Sequence, residues 1–291
     1  MPRLVRFRHL LAILLLLSLA LSASAERIFY DPVSRDVAVA RLKQYKGNDK
    51  QREATLKNLF AEAGCRDSQI SEQPVKGSKL PNLVCTLPGK TNNVIIVGAH
   101  FDHVDRGDGV VDNWSGASLL PSLYEAIKRE PPNHTFIFIG FTDEERGEIG
   151  SHYYAHAMTE QQVADTAAMI NMDVIGLAPT EVWATHSDKH LADVLFNVAG
   201  QMKVPATKMN VEEVGSTDSV QFADRKIPSI TIHSLTQVAW NTHLLHSNRD
   251  TLSALNLDDY YETYKLLSAY LAFLDKVLVP SGTASANEPS K

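Results

Sequence analysis

Six short apolar runs, "LVCTL", "NVIIVGA", "HTFIFIGFT", "AAMINMDVIG", "EVWAT" and "IPSITIHS", recur between residues 83 and 234, interleaved with helical patterns such as "GASLLPSLYEAIKRE" and "DKHLADVLFNVAG". Strand-type runs alternating with helix-length segments predict an α/β fold, a three-layer sandwich with a mixed, mostly parallel central sheet. Several of the runs are apolar throughout, as expected for central strands covered by helices on both faces. A last helical pattern, "DDYYETYKLLSAYLAFLDKVL", follows them, and two precede them, "VAVARLKQYKG" and "QREATLKNLFAEAG", the second with Leu56, Leu59, Phe60 and Ala63 at helical spacing. Each of these two ends at a glycine, the residue favoured just past a helix. In open sheets of this type, functional groups gather in the loops beyond the strand carboxyl ends.

The N-terminus sets the compartment. Arg3, Arg6 and Arg8 precede the apolar run Leu10 to Leu21, and Ala23-Ser24-Ala25 follows, so residues 1–25 read as a secretory signal peptide cleaved before Glu26. The run is shorter than the roughly 20 apolar residues of a spanning helix, and no later segment resembles one, so no membrane association is expected after cleavage. Cleavage would remove three arginines and no acidic residue, taking the formal net charge from −6 to −9, which argues against nucleic acid as a partner. Residues 26–279 show no internal repeat and no Pro/Gly/Ser-rich linker and read as one domain, while residues 280–291 lack apolar content and read as a disordered tail. An exported, periplasmic or extracellular protein meets an oxidising compartment, where Cys65 and Cys85 are expected to form a disulfide worth about 3 kcal/mol by chain entropy.

Residues 94–120, "VIIVGAHFDHVDRGDGVVDNWSGASLL", begin as a strand and then place His100, Asp102, His103, Asp105, Asp108 and Asp112 within thirteen positions. Further along come Glu144 and Glu145 in "GFTDEERGEIGS", Asp173 in "INMDVIG" and His246 in "HLLHSNRDT". One acidic residue at such a place is ordinarily a turn or cap residue. Three carboxylates at one end of a buried sheet would instead raise each other's pKa unless a positive charge compensated them. Two divalent ions do so: with Asp112, Glu145 and Asp173 ionised and His100 and His246 neutral, a bridging hydroxide completes a neutral site. Mixed histidine and carboxylate ligation suits zinc and also admits manganese or cobalt.

Adjacent glutamates cannot easily enter one coordination sphere, so Glu145 is expected to bind while Glu144 takes a proton from metal-bound water and passes it on, a role worth about 10²- to 10⁴-fold. Asp102, two residues beyond His100, is expected to orient that imidazole. The turn through Gly107 and Gly109 brings Asp112 back to the site, and Ser115 is expected to cap a helix starting near Gly116. His103, Asp105 and Asp108 read as loop residues, and His186, His233 and His243, each alone, as structural ones.

The order "GAHFDH", "DNWSG", "DEERGEIGS", "NMDVIG", "LHSNRD" closely resembles the co-catalytic di-zinc aminopeptidase family over roughly residues 80–275. The resemblance implies a zinc-dependent exopeptidase-like fold, shared with glutamate carboxypeptidase and the transferrin receptor ectodomain. It implies that Asp112 bridges two metals, that His100 and Asp173 complete one and Glu145 and His246 the other, and that Glu144 is the general base and acid. The function implied is an exported metallo-aminopeptidase that hydrolyses N-terminal residues of peptide substrates with a metal-bound hydroxide. One departure concerns the substrate pocket: "GSTDSVQF" has Ser219 where many relatives carry a histidine, and Asp218 and Phe222 are the pocket candidates there.

A carboxypeptidase or another amidohydrolase would use the same centre. Glutaminyl cyclases resemble this motif order but use a single zinc, and "DNWSG" looks like the hydrolase version. A non-catalytic ectodomain would not need all five ligand positions and Glu144 intact. Only 72 residues separate Asp173 from His246, too few for the inserted dimerisation domain of related deacylases. Neither a G-x-S-x-G elbow nor H-E-x-x-H occurs.

Overall fold

Parallel pairing of the central strands gathers the loops that follow them at one end of the sheet. The computed structural model describes residues 28–210 and 215–278, so the expected leader at 1–25 and the expected tail at 280–291 lie outside the described residues. Its strands are β1 Ile70–Gln73, β2 Asn82–Leu87, β3 Val94–His100, β4 Thr135–Phe141, β5 Thr166–Met172, β6 Thr180–Trp183, β7 Ala206–Met209 and β8 Ser229–His233. They form one sheet in the order β1-β2-β4-β3-β5-β8-β6-β7. The centre, β4-β3-β5-β8, is parallel; β2 runs antiparallel to β4 and β6 antiparallel to β8. The mixed, mostly parallel sheet expected from the apolar runs is present. The sequence pattern did not mark β1 and β7, which are four-residue edge strands, half exposed and without a continuous apolar run.

The helices are α1 Arg35–Leu42, α2 Asp49–Glu62, α3 Leu119–Ile127, α4 Ile149–Ala157, α5 Glu160–Asp165, α6 Lys189–Met202, α7 Ser219–Asp224, α8 Gln237–Asn241 and α9 Leu257–Val277. The short helices α4, α5, α7 and α8 are not legible in the sequence, because five to nine residues give little helical periodicity. In α2, Asn48 and Gln51 form a reciprocal capping box at the start, and Gly64 lies just past the end at φ +89°. The earlier helix, α1, stops at Leu42, short of Gly47, through a turn in which Gln44 N–H donates to the Arg41 carbonyl.

Period-two alternation divides the core. On β3, Ile95, Val97 and Ala99 enter a large cluster with Leu56 and Phe60 of α2 and Leu123 of α3, while Ile96 enters a smaller one with Phe141, Met169 and Phe222 on the opposite face. Each fully buried aliphatic or aromatic side chain contributes about 1.5–3 kcal/mol. Val97→Asp would put an unpaired charge between the two layers and break the centre of the sheet. Cys65, just past α2, is disulfide-bonded to Cys85 in β2, which ties the N-terminal helices to the sheet.

Candidate active site

His100 is the last residue of β3, in register with Phe141 at the end of β4. Beyond β4 the chain passes through Asp143 in the left-handed region, φ +55°, into the turn Glu144–Arg146. Asp173 follows β5 directly, and its N–H donates to the Ile232 carbonyl of β8 at 3.0 Å. Three parallel strands thus deliver His100, the glutamate pair and Asp173 to one edge. Asp112 returns to this edge on the loop after β3, and His246, at φ +55°, arrives on the loop after α8.

The donor atoms converge. Asp112 presents Oδ1 at 3.3 Å from His100 Nε2 and Oδ2 at 3.2 Å from His246 Nε2. Glu145 Oε2 is 2.9 Å from His246 Nε2, and Asp173 Oδ1 and Glu144 Oε2 are 3.6 and 3.9 Å from His100 Nε2. The ligand atoms form two groups, His100–Glu144–Asp173 and Asp112–Glu145–His246, each within 4.8 Å and each able to hold a metal ion. Both His100 nitrogens and Glu145 Oε1 are buried without a hydrogen bond, an arrangement that leaves strong donors and acceptors lacking a partner. Nitrogen and carboxylate donors in these groups fit two divalent ions of the zinc type.

Electrostatics points the same way. Burial, reinforced by Asp218, Asp173 and Asp112, holds the Glu144 carboxyl well above its ordinary value against the pull of His100. Burial and Asp112 also raise Glu145. Burial would lower the His100 pKa, but Glu144, Asp102, Asp112 and Asp173 outweigh it and push it well up, and hydrogen bonds to Asp112 and Glu145 push His246 to about 10. The protein has thus assembled more negative charge than its own groups neutralise, as a cation site requires.

Partners outside this set hold it in shape. Asp102, 2% exposed, accepts the main-chain N–H groups of Glu144 at 3.1 Å and Glu145 at 3.2 Å and faces His100 Nδ1 at 3.5 Å. One carboxylate therefore references both the imidazole and the glutamate turn. Thr217 donates to Asp173 Oδ2 at 2.8 Å and accepts from Asn171 at 2.7 Å. Asn113 donates to the Met172 carbonyl and accepts from the N–H groups of Gly116 and Val174, joining the loops after β3 and β5. Val174, β-branched at φ +60°, is a strained residue beside Asp173, fixed by that bond and by Ser234, which donates to its carbonyl. The expected cap is corrected here: Asn113, not Ser115, accepts the Gly116 N–H, because Ser115 lies inside the helical turn and its hydroxyl donates to the Val111 carbonyl.

Sequence reasoning missed four positions: Asp49, Arg52, Thr217 and Asp250. Arg52 of α2 is fully buried and donates to the carbonyls of Tyr45, Phe101, Asp108 and Gly109, while Asp49 accepts from His103 N–H at 3.2 Å. Both grip the loop between His100 and Asp112, and nothing in the helical pattern of α2 distinguishes them. Asp250 did carry a signal, lying four residues after His246 in "LHSNRD".

A cavity of about 420 Å³ opens onto Asp112, Glu144, Glu145, Asp173 and His246. Its remaining wall is largely apolar, with Val174, Trp183, Leu235, Trp240, Leu244 and Leu245, and among the described residues no lysine or arginine lines it. His233 and His243 also line it, whereas His103 pairs with Asp49. The pocket expectation for Asp218 and Phe222 is corrected: both are fully buried and neither lies on the cavity wall. Phe222 packs against Phe141 and Tyr154 with centroids 6.0 Å away, because α7 lays its apolar side on the sheet. Asp218 is held beneath the site, its pKa pushed by burial to about 8.

Comparison with known proteins agrees with this geometry. Leupeptin-inactivating enzyme 1 of Streptomyces exfoliatus is 30% identical over 151 residues, which are 50% of this chain and 34% of that enzyme, so the chain spans about a third of that relative's length. Among solved structures, BSAP, a zinc aminopeptidase from Bacillus subtilis, superposes with a TM-score of 0.60 at 19% identity, covering 69% of this chain and 51% of that one. An Acidobacteriales bacterium glutaminyl cyclase superposes with a TM-score of 0.72 at 17% identity, covering 88% and 99%. These two likenesses show a shared fold. Residues 82–271, which carry every ligand position above, match the sequence pattern of Peptidase family M28. The chain belongs to that family.

Proposed function

We propose that this protein is an exported two-metal aminopeptidase that removes N-terminal residues from peptides. The observation behind this is Asp112, which turns one carboxylate oxygen toward each of two histidines in two separate ligand groups. His100, Asp112 and Asp173 would hold one divalent ion, zinc by donor type, and Asp112, Glu145 and His246 the other. When bound, such a pair supplies Lewis-acid polarisation of a peptide carbonyl and lowers the pKa of water at the site. Glu144 stands beside the ligands with its main chain fixed by Asp102 and its carboxyl held by burial above its ordinary value, placed to accept a proton and deliver it to the leaving amine.

The sign of the wall supports an aminopeptidase over a carboxypeptidase. A carboxypeptidase must bind a free carboxylate, yet among the described residues no lysine or arginine lines this cavity to pair with one. The apolar wall of Trp183, Leu235, Trp240, Leu244 and Leu245 favours a large apolar N-terminal side chain. Support for export comes from the leader pattern at residues 1–25 and from the Cys65–Cys85 bond.

Metal analysis of the purified protein, combined with assays on leucyl peptides and on N-terminal glutaminyl peptides, tests the proposal. Two zinc ions per chain with peptide-bond hydrolysis is the expected result. One tightly held ion with cyclisation of glutaminyl peptides and no hydrolysis would replace it with the glutaminyl cyclase reading.

A further inference from the structure

Away from the cavity, α4 carries a second pair of metal-ligating side chains. His152 and His156 lie four residues apart on that helix and so share one face; both are exposed, and their rings stack with centroids 4.0 Å apart and planes 27° apart. Their hydrogen bonds decide which ring nitrogen carries the proton. Gln221 of α7 donates its amide nitrogen to Glu148 Oε2 at 2.6 Å, so its amide oxygen is the atom 2.9 Å from His152 Nδ1. An amide oxygen only accepts, and Nδ1 of His152 must therefore be the N–H. Nδ1 of His156 lies 3.0 Å from the main-chain carbonyl of His152, another pure acceptor, so it carries its proton too. In each neutral ring the other nitrogen, Nε2, is left as a lone pair.

The result is two adjacent imidazoles, each with its far nitrogen basic and its near N–H held by an oxygen. That second bond is what metal-binding histidines generally possess, since it fixes the tautomer; the rings are stacked, and because both are exposed they can tilt from that arrangement to turn their Nε2 lone pairs onto one ion. We propose that His152 and His156 form a third metal site, distinct from the two-metal centre, which chelates a borderline divalent transition ion such as zinc, nickel or copper through both Nε2 atoms, with water in the remaining positions. Imidazole ligation selects these ions over magnesium and calcium, which prefer oxygen. With two protein ligands instead of three, the site is weaker than the centre at the strand ends. The chain Glu148–Gln221–His152 makes Gln221 its positioning residue.

Nickel alone is the probe, added to the untagged full chain already loaded with zinc, and is followed by equilibrium dialysis and by paramagnetic broadening of histidine resonances. The intact protein is expected to take up one further ion per chain, broadening His152 and His156. His152→Gln and His156→Gln should each lower nickel affinity at least about tenfold while leaving tightly held zinc and peptidase turnover unchanged, and Gln221→Ala should lower it by about tenfold. Both histidines are exposed, so neither variant removes core packing. Nickel uptake that is unchanged in both histidine variants, or broadening confined to other histidines, would overturn the proposal. Absence of the two tight zinc ions would count against the proposed function and leave this site standing.

Discussion

Asp250 Oδ2 accepts the main-chain N–H of Asp112 at 3.1 Å, and its Oδ1 accepts that of Val111 at 2.7 Å, although Asp250 and Asp112 stand 138 positions apart in the chain. Asp250 also lies four residues after His246, and its carbonyl accepts the Asp108 N–H at 2.7 Å. The loops bearing Asp112 and His246 are thereby held as one body. Asp250→Asn places an amide donor against one of these N–H groups, and the affinity of one metal should fall about 10- to 100-fold. Chelator competition measures this, and turnover at saturating metal should stay close to wild type. Unchanged metal release would show that Asp250 does not position the ligands.

The adjacent glutamates should separate cleanly. Glu144→Gln keeps size and removes the proton acceptor, so kcat should drop about 10²-fold or more with two ions retained. Glu145→Gln removes an anionic ligand, so it should lose one ion and recover part of its activity when excess metal is supplied. The reverse pattern, with Glu144→Gln losing metal and Glu145→Gln keeping both ions without turnover, would exchange the two roles. Both residues lie in the ligand groups, so metal content is the deciding measurement.

The cavity wall sets a substrate preference. Aminoacyl-nitroanilides of leucine and phenylalanine should be cleaved with higher kcat/KM than those of glutamate or lysine. Trp240→Ala removes a large apolar surface from the wall, and kcat/KM for the leucine substrate should fall about 10-fold or more, in line with about 1.5–3 kcal/mol for a buried side chain. The alanine substrate should be affected much less. Equal losses on both substrates would place Trp240 outside the side-chain pocket.

His233 and Glu181 should give opposing pH dependences of stability. His233 Nδ1 accepts the Leu235 N–H at 3.1 Å, and burial depresses the His233 pKa to about 4; Glu181, with Oε2 3.6 Å from Nδ1, is raised by burial to about 7. For His233 the unfolded chain binds a proton that the folded one refuses, so its contribution is lost as pH falls from about 6.5 to about 4. For Glu181 the folded chain keeps a proton that the unfolded one releases, so stability falls as pH rises from about 4.5 to about 7. The two slopes oppose each other where they overlap. Glu181→Gln should expose the histidine slope, with denaturation midpoints in urea dropping from pH 6.5 toward pH 4. A midpoint in that variant that stays flat across this range would show that His233 charges freely in the fold.

The disulfide between Cys65 and Cys85 closes a loop with a sequence separation of 20. Replacing both cysteines with serine should lower stability by about 3 kcal/mol through the freer unfolded chain. Denaturant unfolding with and without reductant measures it. A variant as stable as the oxidised protein would assign the fold's N-terminal attachment to packing of α2 alone.

The sequence by itself determined the central sheet and singled out the candidate ligands that the fold brings together. Short apolar runs rich in β-branched and aromatic residues, alternating with helix-length patterns, read as buried strands, so β2 to β6 and β8 were legible in the sequence. The residues that break those runs at their carboxyl ends, His100, Glu144, Glu145 and Asp173, had to emerge at a common edge once the strands ran parallel. What the tertiary structure decided is everything that depends on distant approach. Arg52 and Asp49 look like any polar residues of an amphipathic helix until α2 packs beside the loop after β3, and the buried guanidinium then meets four carbonyls. Phe222 and Asp218 stand next to a candidate substrate loop in sequence, yet α7 turns both into the interior. Local pattern reports which side chains want burial or charge; which oxygen faces which nitrogen is set by contacts across 138 residues, as between Asp250 and Asp112, and only the folded chain brings those together.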